Sequence, residues 1–287
     1  MGEICARKLA DHILENQKLN RQTVLGLATG STPILMYKAF NKIVKEENLD
    51  LSQLITFNLD EYLGLPPEHP QSYHCFMFTH LFAELLQSSD NPLGIKPENI
   101  HIPKGCAKTK QDLTSEELAL LFQKFPEKEN NILLTAQEEL WILQQRAKEY
   151  DALLLQLGPI DIQILGIGTN GHIGFAEPGS VFSDGTSLIR LADSTRKDNA
   201  RFFNDDISAV PQYAITMGVG TVLKANAIFL LATGSHKAPI INKMLKDPIS
   251  TAIPATALRL HPQVTVFLDK KAAANLEKYQ DDQNFMF

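Results

Sequence analysis

The tightest constraint on this chain is a rhythm of short apolar runs separated by longer stretches of helical periodicity. The runs cover residues 24–27, 54–58, 162–166, 227–231 and 264–268. A nearly continuous apolar run reads as a strand covered on both faces. Helical patterns fall near 3–17, 33–47, 72–86, 136–156, 236–246 and 270–278. Strand–helix–strand alternation implies right-handed crossovers, so an α/β protein with a mostly parallel sheet and helices on both faces is expected. The 287 residues suffice for a full core, and no repeat or linker divides them into two domains. Residues 104–135 are polar, lack a strand candidate and carry two capping-box patterns, Thr114–Glu117 and Thr135–Glu138. They read as an inserted surface segment with a helix near 115–125: a solvated excursion, or alternatively a lid or interface.

Composition removes several classes of function. Hydrophobic residues make up 44% and charged residues 21%, which suits a globular chain rather than a disordered one. With a net charge of −6 and no dense Lys/Arg cluster, neither nucleic acid nor an acidic membrane is expected as a partner. Cys5, Cys75 and Cys106 have neither metal nor disulfide spacing, which suits a reducing compartment. The amphipathic, acid-bearing start does not read as a targeting peptide, and no apolar run nears the ~20 residues of a membrane span. Cytoplasm is the expected location. His69, His74 and His80 form no HExxH pattern and no CxxC is present, so no metal is expected.

In open parallel sheets ligands bind beyond the carboxyl ends of the strands, and four post-strand segments here are rich in polar residues. After the first strand, Thr29-Gly30-Ser31-Thr32-Pro33 leads into a helix, with Thr32 as N-cap and Pro33 at the first helical position. Such a start offers free N–H groups to a phosphate, although a plain capped turn would look the same. After the second strand come the adjacent carboxylates Asp60 and Glu61. One of them can act as a general base if burial raises its pKa; the alternative is an Asp capping the next turn.

The third segment, Gly166–Glu177, matches the dinucleotide pattern GxGxxG but runs into IGFAEPG, too rich in Gly and Pro to continue as the helix a nucleotide loop requires. Its glycines better suit a tight path presenting His172 and Glu177, the imidazole to move protons and the carboxylate to orient it. The fourth segment, Thr233-Gly234-Ser235-His236-Lys237, repeats the hydroxyl–glycine turn with a lysine added. The two turns, Lys237 and Arg201 together can grip one phosphate.

Taken in order, LGLATGSTP (25–33), FNLDEYLGLPPEHPQSYH (57–74), DIQILGIGTNGHIGFAEPGS (161–180), TRKDNARFF (195–203), VPQYAITMGVGTVLKA (210–225) and TGSHKA (233–238) resemble the glucosamine-6-phosphate deaminase family. The likeness covers nearly all of the chain outside 104–135. It implies a Rossmann-like fold and conversion of glucosamine 6-phosphate and water to fructose 6-phosphate and ammonia. It places Asp60 as the base that carries the C2 proton to C1, with His172 as the ring-opening residue and Glu177 as its partner. Asn170 joins this catalytic group. Thr29, Gly30, Ser31, Thr32, Arg201 and Lys237 fall on substrate contacts, and residues 180–210 on a mobile lid. No cofactor is implied, because the substrate's own carbonyl acidifies the C–H bond. Family members range from monomers to hexamers, so a homo-oligomer is allowed.

Three departures stand out. Asn170 replaces the Asp that some members place two residues before the histidine, which removes a negative charge and should lower the His172 pKa. Ala176 stands where FNEP would put Asn, removing a polar group beside the site. Residues 181–189 lack the basic side chains by which allosteric members bind N-acetylglucosamine 6-phosphate, so no activation by that ligand is expected. Two other readings compete. A 6-phosphogluconolactonase-type hydrolase shares the fold, but its DGHTASLFP-like loop lacks a Glu five residues after the His. A non-catalytic sugar-phosphate sensor would not need Asp60, His172 and Glu177 together.

Overall fold

A computed structural model describes residues 1–125, 133–274, 276 and 285–286. The first half of the chain runs α1 (Gly2–Lys18), β1 (Thr23–Leu27), α2 (Ile34–Glu47), β2 (Leu54–Asn58), β3 (Asp60–Tyr62), α3 (Tyr73–His80), β4 (Ile100–His101), α4 (Ser115–Lys124) and α5 (Ala136–Leu157). Then follow β5 (Ile162–Leu165), β6 (Ser187–Arg190), α6 (Asp193–Asn199), β7 (Tyr213–Thr216), α7 (Val219–Val222), β8 (Ala227–Ala232), α8 (Ala238–Lys246), β9 (Val264–Leu268) and β10 (Phe285–Met286). Seven strands form a parallel sheet in the order β10-β9-β8-β5-β1-β2-β4. Helices cover both faces. Leu9 of α1 and Tyr37 and Phe40 of α2 enclose Leu25, Leu27 and Thr56 on one side, while Tyr150 of α5 meets Phe57 edge-on across 5.5 Å on the other. The fold is a single Rossmann-like α/β domain, as expected, and its β1, β2 and β5 are buried along their whole length. Among the described residues, no helix is long and apolar enough to cross a membrane.

The periodicity did not announce a second sheet, in which β3, β7 and β6 pair antiparallel. These strands span three or four residues each, too few for an alternation pattern to stand out from loop sequence. The helix expected over 72–86 ends at His80, because Leu81 turns to φ −135° and a short 3₁₀ turn follows. Thr32 is not an N-cap: α2 starts one residue later, with Pro33 at the cap and no side chain capping it. The helix expected over 270–278 is replaced at 270–274 by turns fastened to Asp269, whose Oδ1 accepts from the Ala272 N–H at 2.7 Å. Residues 275, 277 and 278 lie outside the described residues, as do 126–132 of the 104–135 segment.

Both capping boxes form, at the starts of α4 and α5. Glu117 on α4 does more than cap. Its carboxylate takes both Nε (2.6 Å) and Nη2 (3.1 Å) of Arg146, and the guanidinium also donates to the carbonyls of Lys104, Cys106 and Asp112. The pair is nearly sealed from water beside an apolar cluster of Ala107, Leu121, Ile142 and Leu143. Burial is the strongest single influence on the Glu117 pKa and raises it, but the Arg146 bond and charge, the Thr114 N–H and the Lys104 charge together outweigh it, and the carboxylate stays below its ordinary range. Losing one partner strands a buried charge. Arg146→Leu should therefore cost about 3 kcal/mol of stability, read as a fall in the urea midpoint.

Candidate active site

The four polar segments follow β1, β2, β5 and β8, which lie side by side in the sheet, so their loops converge. They line a cavity of about 270 Å³ that contains Thr29, Gly30, Ser31, Thr32, Asp60, His172, Arg201 and Lys237. A second hollow of about 550 Å³ lies around Arg146, but that cation is already held by Glu117 and three carbonyls.

One end of the cavity is built from helix starts. Thr29 to Thr32 precede the uncapped start of α2, and Thr233, His236 and Lys237 sit at the start of α8, where again no side chain caps the helix. Backbone N–H groups at such starts favour negative charge. Lys237 is pushed below its ordinary pKa by burial; Asp198 opposes that shift and Arg201 adds to it. An anion between Lys237 and Arg201 would oppose that lowering.

The paired carboxylates separate because successive residues of a strand point to opposite faces. Asp60 faces the cavity, while Glu61 turns away and accepts the N–H groups of Tyr62 (2.8 Å), Tyr73 (2.9 Å) and His74 (2.9 Å). Glu61 thus anchors the start of α3 beside the Ser72 cap, which accepts from the Cys75 N–H at 3.0 Å. Burial, reinforced by the neighbouring charge of Glu61, holds Asp60 well above the ordinary carboxylate range. That suits a base that must take a proton from carbon.

Two glycines of the third segment have steric reasons. A Cβ on Gly168 would fall 2.2 Å from the His172 ring, so the imidazole lies directly over that residue. Gly174 has φ +55°, and a Cβ there would press on the Thr216 hydroxyl at 3.2 Å and on Asp60 Oδ2 at 3.4 Å. Within the nucleotide-like fingerprint Gly168 therefore makes room for a histidine, and Gly174, beyond the fingerprint, makes room for an aspartate.

Asn170 and Glu177, grouped above with the catalytic residues, do not line the cavity but stand behind His172. The imidazole Nδ1 lies 2.7 Å from Asn170 Oδ1 and 3.7 Å from Glu177 Oε2. Asn170 Nδ2 donates to Glu177 Oε2 at 2.9 Å, and the Ala192 N–H donates to Glu177 Oε1 at 3.1 Å. Glu177 therefore orients the imidazole through Asn170. Burial lowers the His172 pKa and Lys237 adds to this, whereas Glu177 and Asp198 oppose it. Ala176 packs in the main apolar core, away from the cavity.

Several cavity residues escaped sequence reasoning. Tyr62 and Tyr73 form an aromatic wall with Phe175 and Phe203, and the Asn199 amide donates to the Tyr62 hydroxyl at 2.8 Å. Asp198 accepts from the Thr169 hydroxyl at 2.7 Å across the mouth. The signal available in sequence was spacing: residues 194, 195 and 198 share one helical face three and four positions apart.

A family model for glucosamine-6-phosphate isomerases/6-phosphogluconolactonase matches residues 1–267. The chain belongs to this family. Among curated members of the family, a glucosamine-6-phosphate deaminase of Thermoanaerobacter pseudethanolicus is 41% identical over 272 residues, covering 95% of this chain and 91% of that protein. Glucosamine-6-phosphate deaminase 2 of Bacillus subtilis is 42% identical over 277 residues, covering 96% and 94%. Among solved structures, a monomeric glucosamine-6-phosphate deaminase superposes with a TM-score of 0.76 at 37% identity, over 95% of this chain and 94% of that one. A 6-phosphogluconolactonase from Trypanosoma cruzi, at 20% identity and a TM-score of 0.65 over 96% and 92%, shares the fold.

Glu61 gives a pH-dependent stability. Burial pushes its pKa from 4.5 up to about 7, against the lowering effect of its three N–H partners. The folded protein then holds this proton more tightly than the unfolded chain does, so the contribution is full below pH 4.5 and fades as pH rises to about 7. Over that window wild type should lose about 3 kcal/mol relative to Glu61→Gln, measured by urea unfolding at stepped pH.

Proposed function

We propose that this protein is a glucosamine-6-phosphate deaminase: it converts glucosamine 6-phosphate and water to fructose 6-phosphate and ammonia. The observation that carries the reading is one cavity holding a buried carboxylate, a histidine with its Nδ1 occupied from behind, and two cations beside two helix starts.

The phosphate is assigned to Thr29, Gly30, Ser31, Thr32, Arg201 and Lys237. Neutral His172 takes the proton of the C1 hydroxyl on Nε2 and returns it to the ring oxygen, opening the pyranose to the aldehyde. The aldehyde then acidifies C2–H. Asp60 removes that proton while a proton of the substrate ammonium passes to O1, leaving an enolamine; Asp60 then delivers its proton to C1, which makes C2 an iminium. Water adds at C2, and the C2–N bond breaks to release ammonia and leave the ketone. Residues 180–210, which bring Asp198, Asn199 and Arg201 to the cavity, serve as its lid. A lactonase would need neither a base at C2 nor the pairing of Asp60 with His172, which favours the deaminase.

Asp60→Asn tests the base, and ammonia release should fall by at least about a hundredfold with little change in KM. Undiminished turnover would remove Asp60 from that role. Asn170 tests the imidazole. A carboxylate at 170 would stabilise the protonated ring, so Asn170→Asp should move the acidic limb of kcat/KM up by about one pH unit; superimposable profiles would contradict it.

A further inference from the structure

His172 Nδ1 has two oxygens near it. Asn170 Oδ1 is at 2.7 Å, and the hydroxyl of Thr195, on α6, is at 3.2 Å. The orientation of the Asn170 amide is set by its neighbours. The Glu177 carboxylate accepts from its Nδ2, so Oδ1 must face the His172 backbone N–H, which it accepts at 3.1 Å. A carbonyl oxygen at 2.7 Å from Nδ1 requires that nitrogen to carry the proton. The neutral ring therefore offers Nε2 as its base, and the Thr195 hydroxyl stands as a second acceptor for Nδ1–H.

Thr195 is well suited to hold a fixed oxygen. It is 2% exposed, so close-packed surroundings hold the side chain in place. The helix itself is fastened from two sides. Towards the His172 loop, Asn170 Nδ2 donates to the Ser194 hydroxyl (3.3 Å), Thr169 donates to Asp198, and the Ala192 N–H donates to Glu177. On the far side, Arg196 donates to the carbonyls of Ile207 (2.7 Å) and Val210 (3.0 Å). The loop and the helix are thus locked together around one ring nitrogen.

We infer that Thr195 is a positioning residue for His172, and that through it α6 keeps the imidazole aimed into the cavity. The inference rests on the deaminase reading for its kinetic consequence, but its geometry is independent of it. The bond joins the cavity's cover to its proton-transfer group, so the ring is fully held only when α6 is seated.

Thr195→Val keeps the shape and removes the oxygen; Thr195→Ser keeps the oxygen. With the full-length protein and glucosamine 6-phosphate, Thr195→Val should lower kcat about tenfold with KM within about twofold of wild type, and Thr195→Ser should recover most of the loss. Wild-type turnover in the Val variant, or a Ser variant as slow as Val, would overturn the assignment. A second measurement does not depend on activity. In protein labelled with ¹⁵N-histidine, the His172 Nδ1–H signal should shift or broaden in Thr195→Val and stay in place in Thr195→Ser, and an unchanged signal in Val overturns the inference. If wild type releases no ammonia, the deaminase reading falls and the ring signal alone decides Thr195. Should Thr195→Val fail to fold, Thr195→Ala takes its place in both measurements.

Discussion

In a parallel sheet every strand releases its chain at the same edge, and here four adjacent strands release theirs into polar loops. β2, β1, β5 and β8 stand next to one another and pair in parallel registers such as Leu27 with Asn58 and Leu165 with Leu230. Their carboxyl ends are level, so loops separated by more than 200 residues of chain close on one cavity. The buried backbone groups of the strands are satisfied by each other, which frees the loops from that task. Two of those loops run into helices without a side-chain cap, leaving N–H donors and a positive dipole end for an anion.

Burial then divides labour among residues of the same chemical type. Asp60 and Glu61 are adjacent, both carboxylates and both nearly inaccessible. One faces the cavity with its pKa raised by desolvation and by its neighbour's charge; the other is spent on three backbone donors at the start of α3. The histidine follows the same logic. Its distal nitrogen is occupied by Asn170, Glu177 is kept at one remove, and the ring stacks over a glycine that leaves it space. An amide in place of a carboxylate at 170 still fixes the tautomer, because the geometry of its two hydrogen bonds is dictated by Glu177 and by the backbone. What the amide lacks is charge, and the buried ring sits below its ordinary pKa.

Much of this was legible beforehand. The apolar runs identified the long strands because a strand covered on both faces must be apolar throughout. The downstream Gly and Pro exposed the false nucleotide fingerprint. Harder to read were the short antiparallel strands β3, β6 and β7, whose three or four residues cannot carry a period. Within the segment 104–135, read as solvated, Glu117 gave no sign of its pairing with Arg146 on α5, because charge reads as surface unless a partner is known. Their pairing is a contact across 29 residues, invisible to local pattern. Tyr62, Tyr73, Thr195 and Asp198 were missed for a related reason: apart from the helical spacing of 195 and 198 nothing local marks them, and only their neighbours in the fold give them meaning.

The sequence by itself therefore determined the class of fold, the order of the segments around the cavity and the residue types available for proton transfer. These follow from periodicity and from side-chain chemistry, which are local properties. Only the tertiary structure decided which of two adjacent carboxylates faces the cavity, which oxygen meets the imidazole and which charges are buried in pairs. Those outcomes depend on strand facing, on distances of a few ångströms and on exclusion of water, and none of these is a property of a residue taken alone.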